Sequence, residues 1–349
     1  MILSDKHVLV TGGTGSLGKT VVRRMLTGEL GMPRKITVFS RDEAKQHQMR
    51  VDYQQAAYAT DDIMFRKVKE TLSFQIGDMR DYDSVCRAVQ GVDFVVNAAA
   101  LKQVPSCENF PYQAVRTNID GAQNLVRAIR DTNASVQQVV GISTDKACKP
   151  INVMGMTKAL MERIFVEANL QCGSTRFNLV RYGNVIASRG SVVPLFLDQI
   201  ANGGPVTITV KEMTRFLLSL DQAVDPVFAA LQTGRMGETF VPKVEAARMV
   251  DLAETLIAGR DVPIIYTGIR PGEKLHEIMV SEEERWRTVE RGDYYVIQPM
   301  LEELYPVMPD TPVLPGEYSS EYVTLDHDGI RNLLQPIVSP NIAVLRVAA

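Results

Sequence analysis

Residues 7–18 read His7-Val8-Leu9-Val10-Thr11-Gly12-Gly13-Thr14-Gly15-Ser16-Leu17-Gly18. His7 to Thr11 is a short, largely apolar and β-branched run that ends in glycines, the pattern of a buried strand. Leu17 to Leu26 then follows a helical pattern. Between them, Gly12 lets the chain turn sharply, Gly15 lets the backbone approach a pyrophosphate, and Gly18 lets helix and sheet pack closely. The helix N-terminus presents free N–H groups to phosphate. This order predicts a dinucleotide site on Gly12, Thr14, Gly15, Ser16, Leu17 and Gly18.

Working outward, Lys35–Phe39, Leu72–Ile76, Asp93–Val96 and Val139–Ile142 read as further strands, with helical stretches around Val115–Arg130 and Val153–Ala168. Strands alternating with helices predict an α/β fold, a Rossmann-type doubly wound parallel sheet. Tyr53–Glu70 is long for a connection and reads as a helix extension plus a surface insertion. After about residue 180 the alternation degrades. The expected division is a dinucleotide-binding domain over 1–180, with parts of 216–250 returning to it. A smaller substrate-binding domain takes 181–215 and 251–310, and 311–349 form a C-terminal extension.

The composition sets limits. Of 349 residues, 23% are charged and 45% hydrophobic, and the net charge is -3, which gives no electrostatic reason to expect nucleic acid. No run is apolar enough for a membrane span, and the first residues lack a signal-peptide layout. Cys86, Cys107, Cys148 and Cys172 show no metal-ligand spacing, so no metal is expected and a reducing cytoplasmic setting fits.

The second strand ends in Phe39-Ser40-Arg41-Asp42. A 2′-phosphate calls for a cation there, and Arg41, with Lys45 a turn further on, points to NADP. Asp78, followed by Met79 after the third strand, is placed to accept from adenine. Ala98, Ala99 and Ala100 let the backbone run along the dinucleotide.

After the fifth strand come Ser143-Thr144-Asp145-Lys146 and then Met154-Gly155-Met156-Thr157-Lys158. With the glycine turn and Asn118, these resemble the extended short-chain dehydrogenase/reductase family. Its members pair a tyrosine with the lysine at the place of Lys158, which holds the nicotinamide ribose and lowers the phenol pKa. Here the tyrosine position is Met154, which cannot act as acid or base. That leaves a protein that only binds NADP, or a subgroup that works without tyrosine. The adjacent titratable pair Asp145 and Lys146 favours the second.

A closer resemblance rests on Ala100-Leu101-Lys102-Gln103-Val104-Pro105, Arg181-Tyr182-Gly183-Asn184-Val185, Ser188-Arg189-Gly190-Ser191-Val192-Val193-Pro194, Met213-Thr214-Arg215-Phe216 and Arg270-Pro271-Gly272-Glu273-Lys274. These are similar to the soluble, C5-inverting UDP-N-acetylglucosamine 4,6-dehydratases of polysaccharide biosynthesis. The resemblance implies a redox-neutral dehydration through NADP by a homo-oligomer, a dimer or a hexamer. In it Lys146 removes the C5 proton, Asp145 protonates the departing C6 hydroxyl, and Thr144 with a water and Lys158 takes the 4-hydroxyl proton. Lys146 must then be neutral part of the time, helped by Lys102 or Lys158 nearby. Arg215 and Arg270 are expected on the diphosphate, Asn184 on the sugar or its phosphate, and Gly190–Leu195 as a loop around uracil. Lys102, Ser191, Val192, Pro194, Thr209 and Glu273 complete the expected substrate set. Cys107 and Cys148 read as bystanders, His276 as a packing residue on a helix, and Trp286 as packing or interface. A UDP-sugar 4-epimerase of the same fold and a non-catalytic NADP-binding regulatory protein are the alternatives.

Overall fold

The computed structural model describes residues 1–59, 70–186, 191–304 and 311–335. Its central sheet is built first from β1 (His7–Thr11), β2 (Lys35–Ser40), β3 (Leu72–Ile76), β4 (Phe94–Asn97), β5 (Gln138–Ile142) and β6 (Arg176–Val180). Three strands from later in the chain, β10 (Thr239–Pro242), β14 (Thr288–Arg291) and β15 (Tyr294–Ile297), extend it. The order is β14-β15-β10-β6-β5-β4-β1-β2-β3. All pairings from β3 to β10 are parallel; β15 and β14 close the far edge antiparallel.

The strands read as near-continuous apolar runs because both faces are covered. Val8 and Val10 point into one core with Val140, Ile142 and Val180. Leu9, Val139 and Leu179, one residue out of step, point into the other. The strand order reverses between β1 and β4, so the crevice for a ligand opens where Gly12 and Ala98 follow those strands.

The smaller lobe is made of β7 (Asn184–Val185), β8 (Val206–Ile208), β9 (Thr214–Leu218), β11 (Ala246–Arg248) and β12 (Ile264–Tyr266), with the helices Val192–Ala201 and Met249–Ile257. Phe196, Ile208, Met213 and Leu252 are in its own apolar core. In the tail, β16 (Tyr318–Ser319) pairs antiparallel with β13 (Ile278–Val280), and Ile330 and Leu334 enter that core.

Several expectations change. The helix expected over Val115–Arg130 is broken into a π-turn, Val115–Asp120, and an α-helix, Gly121–Asp131. His276 is not helical; it precedes β13, and its Nδ1 meets Thr214 Oγ1 at 2.8 Å. β14 and β15, inside the stretch assigned to the substrate lobe, belong to the large sheet. The helix Glu43–Ala59 carries the extension expected after Tyr53, and residues 60–69 lie outside the described part. Trp286 is about half exposed, with the Arg285 guanidinium 4.7 Å above its ring.

One polar network joins the two parts of the chain under the sheet's carboxyl end. Arg181, just past β6, is buried; its guanidinium donates to Glu162 at 2.7 and 3.1 Å and to Glu284 at 2.8 and 3.1 Å. Burial alone would raise the Glu284 carboxyl. The charge and hydrogen bonds of Arg181 and the Ser281 N–H outweigh it and hold the group down at about 2. A carboxyl depressed on folding stabilises above its unfolded pKa, here the ordinary 4.5, and loses that contribution as pH falls through about 2. Arg181→Met leaves two carboxylates buried without their cation, and we expect a loss of about 3–5 kcal/mol in urea denaturation at neutral pH. The loss should shrink in acid as the carboxylates protonate; an unchanged urea midpoint at neutral pH would contradict this.

Candidate active site

β1 delivers Gly12 at φ 63°, and its N–H donates to Phe39 O at 2.8 Å. A Cβ at Gly12 would lie 2.8 Å from Ala98 O and from the Ala99 backbone; one at Gly18 would lie 2.5 Å from Gly13 Cα. Both positions therefore need glycine. Gly15 caps the helix Ser16–Leu26 with no side-chain hydrogen bond, so the first-turn N–H groups are open to an anion. Thr11 Oγ1 donates to Asn97 Oδ1 at 2.7 Å and accepts from the Ala99 N–H at 3.2 Å. That tie lays Ala98, Ala99 and Ala100 beside the turn holding Thr14, Ser16 and Leu17. The donor set and the close backbone approach fit a dinucleotide pyrophosphate.

At the ends of β2 and β3 the picture is more specific than expected. Ser40 Oγ accepts from Gln46 at 3.0 Å. The Lys45 ammonium is paired with Asp42. The Arg41 guanidinium is half exposed, 3.8 Å from Asp78 Oδ2. Asp78 accepts from the Arg80 backbone at 3.0 Å and from its guanidinium at 2.6–3.1 Å. Burial raises the Asp78 carboxyl, but the Arg80 bonds and charge, with Arg41 behind them, bring it below its ordinary value. Arg80, given no role from sequence, thus clasps the carboxylate expected to meet adenine. Met79 is buried beside it, its carbonyl accepting from Asn124 at 2.9 Å.

The chemical groups collect where β5 and β6 end. Thr144 caps the 3₁₀ turn Asp145–Ala147, and the Asp145 N–H donates to Tyr182 O at 3.0 Å. The Asp145 carboxyl is wholly buried; its Oδ1 accepts from Thr144 Oγ1 at 2.8 Å and from Lys146 Nζ at 3.1 Å. Its Oδ2 has no hydrogen-bond partner among the described residues. Lys146 Nζ is also 3.1 Å from Glu277 Oε1 and 3.4 Å from Asn184 Oδ1. Burial would lower the ammonium pKa, yet the Asp145 and Glu277 carboxylates outweigh it and raise it. This corrects the expectation of a partly neutral lysine in the resting site.

Lys158 behaves differently. It is buried in the helix Val153–Gln171, Nζ 3.0 Å from Met161 Sδ, and burial, partly offset by Glu162, brings it down to about 8. Asn152 starts that helix by accepting from the Gly155 N–H at 2.8 Å. Asn118, in the π-turn, donates to Leu101 O and Thr157 Oγ1 at 3.0 Å and accepts from the Leu101 N–H at 2.8 Å. It thereby pins the loop carrying the exposed Lys102 to the lysine helix. Met154 packs with Cys107, Ala114, Leu101 and Val104, so the usual phenol position carries an apolar cluster. The Cys148 thiol is buried and pushed up to about 12, in keeping with a bystander.

On the substrate side, Arg215 departs from expectation. It is buried, and its fork donates to the carbonyls of Thr214, Leu275 and Lys274 at 2.7, 3.1 and 2.9 Å. Those bonds occupy the face expected to meet a diphosphate, while Nε lies 3.8 Å from Glu277 Oε1. Arg270 is exposed on its loop, and Glu273 accepts from Thr209 Oγ1 at 3.4 Å. The expected loop Gly190–Leu195 is a helix from Val192 onward, with Ser191 as its cap and Pro194 in its first turn; Gly190 lies outside the described residues.

Sequence reasoning missed Glu277, Glu162 and Glu284. Glu162, one helical turn past Lys158, had a signal in its spacing and accepts from Ser143 Oγ at 2.5 Å. Glu277 and Glu284 had none, because Lys146 and Arg181 lie more than a hundred residues earlier.

A family model described as polysaccharide biosynthesis protein matches residues 8–299. A UDP-glucose 4-epimerase of Rickettsia akari is 44% identical over 298 residues, 84% of this chain and 83% of the relative. The crystal structure of Pen from Bacillus thuringiensis superposes with a TM-score of 0.85 at 33% identity, covering 96% of this chain and 99% of that one. DesIV, a dTDP-glucose 4,6-dehydratase of Streptomyces venezuelae solved with NAD and TYD bound, shares the fold at 21% identity, with a TM-score of 0.65 over 77% of this chain and 86% of its own. No helix among the described residues is long and apolar enough to cross a membrane. The match across most of its length, on a glycine turn and a sheet-end lysine of the expected form, makes this chain a member of the polysaccharide biosynthesis protein family, sugar-nucleotide-modifying enzymes of the extended short-chain dehydrogenase/reductase type.

Proposed function

We propose that the protein is an NADP-dependent UDP-N-acetylglucosamine 4,6-dehydratase that makes a 4-keto-6-deoxy sugar nucleotide with inversion at C5. The observation that carries this reading is the Thr144–Asp145–Lys146 cluster, with its buried carboxyl, beside a phenol position filled by Met154. An oxidation alone needs one base; a dehydration needs an acid and a base.

A nicotinamide held in the crevice by the Gly12–Gly18 turn, with Lys158 on its ribose, would supply the hydride chemistry at C4 and C6. Thr144, whose hydroxyl already donates to Asp145 Oδ1, receives the 4-hydroxyl proton and passes its own to Asp145. Asp145 is then the acid that protonates the departing C6 hydroxyl. Lys146 removes the C5 proton made acidic by the 4-ketone. Two protons are taken; one leaves with the C6 hydroxyl as water and one is returned to C5 after C6 receives hydride, so the site returns to its starting state. Asn184 and Arg270 contact the sugar nucleotide.

The second reading is a UDP-sugar 4-epimerase. The relative named UDP-glucose 4-epimerase favours it, and Met154 counts against it, because epimerases of this fold use the tyrosine.

An NMR time course in D2O with UDP-N-acetylglucosamine and no added oxidant or reductant should give a C6 methyl signal and deuterium at C5. A C4 epimer without C5 deuterium would establish the epimerase instead. Asp145→Asn should slow formation of the methyl product about 10²- to 10⁴-fold. Arg41→Ala should weaken NADP binding about 10- to 100-fold and leave NAD binding nearly unchanged, as measured by calorimetry; equal losses for both cofactors would rule out the 2′-phosphate contact.

A further inference from the structure

Glu277 is a carboxylate from the far end of the chain that reaches the sheet-end site. It is 2% exposed. Oε1 lies 3.1 Å from Lys146 Nζ and 3.8 Å from Arg215 Nε. Oε2 is buried and has no hydrogen-bond partner among the described residues. Its backbone is held on both sides: the Glu277 N–H donates to Ser320 Oγ at 2.9 Å, and the Ser320 N–H donates to Glu277 O at 2.8 Å. Ser320 Oγ in turn meets Thr214 Oγ1 at 2.7 Å, beside Arg215. A buried carboxylate, fixed this firmly against the one lysine that must work as a base, calls for a role.

We propose that Glu277 is the positioning and proton-holding residue for Lys146, taking the ammonium proton so that the free amine can act at C5; the role rests on the dehydratase reading. Lys146 lies between two carboxylates, each 3.1 Å away, and on the dehydratase reading one of them has another duty. Asp145 Oδ1 already accepts from Thr144 and is committed to the 4-hydroxyl proton. Glu277 has no such duty, and its second oxygen can carry a proton. The Arg215 fork is spent on three carbonyls, so it balances the local charge without locking both carboxylate oxygens.

The step balances. An N–H bond of Lys146 breaks and an O–H bond forms on Glu277. The amine lone pair then takes the C5 proton, and the C5–H electron pair moves toward the C4 carbonyl. The C6–O bond breaks as Asp145 gives its proton to the leaving hydroxyl. Once C6 has received its hydride, C5 regains one proton. It comes from water on the face opposite Lys146, as inversion requires, and Lys146 releases the proton it took to the hydroxide left behind. Glu277 then returns its own proton to the amine. No outside oxidant or reductant enters.

The test separates two events in one turnover. Wild type, Glu277→Gln and Glu277→Asp are mixed with UDP-N-acetylglucosamine and NADP in D2O. Nicotinamide absorbance follows hydride removal from C4, and NMR follows deuterium at C5. In E277Q, nicotinamide reduction should stay within about threefold of wild type while C5 deuteration slows about 10²-fold. E277D should recover much of the C5 exchange. Equal slowing of both events in E277Q, or C5 deuteration at the wild-type rate, overturns the proposal. If circular dichroism shows E277Q unfolded, E277D decides by the same comparison: a larger loss at C5 than at C4 supports the role, and equal losses overturn it. Failure of the dehydratase reading looks different, because the wild type itself would then place no deuterium at C5, and the role would fall with it.

Discussion

Arg181 leaves β6 with its charge removed from water, and the structure meets that charge from two directions. Glu162 comes from the long helix that also carries Lys158, and Glu284 from the segment after β13. A buried cation with one partner removed is far costlier than an intact triad. The helix, the sheet end and the late segment are therefore bound to one geometry. Ser143 rests on the same Glu162, so the turn that presents Thr144, Asp145 and Lys146 takes its position from this network. The two lobes meet at the chemistry because their shared charges are buried there.

Around that anchor the site sorts its two lysines by environment. Lys158 is buried with one carboxylate at a distance and is brought toward neutrality; Lys146 is set between two carboxylates and kept charged. The residue type is the same and the roles differ. Lys158 suits a ribose contact in a dry pocket. Lys146 suits a proton that moves only when a neighbour takes it. Met154 belongs to this arrangement too: its apolar cluster fills the phenol position, so on the proposed reading the proton traffic falls to the Asp145 side.

Much of the frame was legible in the sequence. β1, β2, β4 and β5 announce themselves because they are buried on both faces and so read as apolar, β-branched runs. The glycines at 12 and 18 could be assigned because their roles, a positive φ and a backbone contact, are local. Asp145 and Lys146 stood out as neighbours in sequence. What could not be read depended on contacts made far along the chain. The fork of Arg215 was visible, but that it would be used on the carbonyls of Thr214, Lys274 and Leu275 was not. Glu277 lies in no motif that ties it to Lys146. β14 and β15 are a hairpin whose place on the large sheet is set by an edge that forms only when β10 has docked. The helix assigned to His276 failed because pairing of β13 with β16 overrides local preference.

The clasp between Ser320 and Glu277 has a consequence for the order in which the protein becomes competent. Chains fold in units as they leave the ribosome. β1 to β6 and the glycine turn come from the first part of the chain, and Phe228, Phe240, Val296 and Glu284 complete their packing later. The carboxylate beside Lys146 takes its place only once the segment carrying Ser320 has been made, well after the glycine turn.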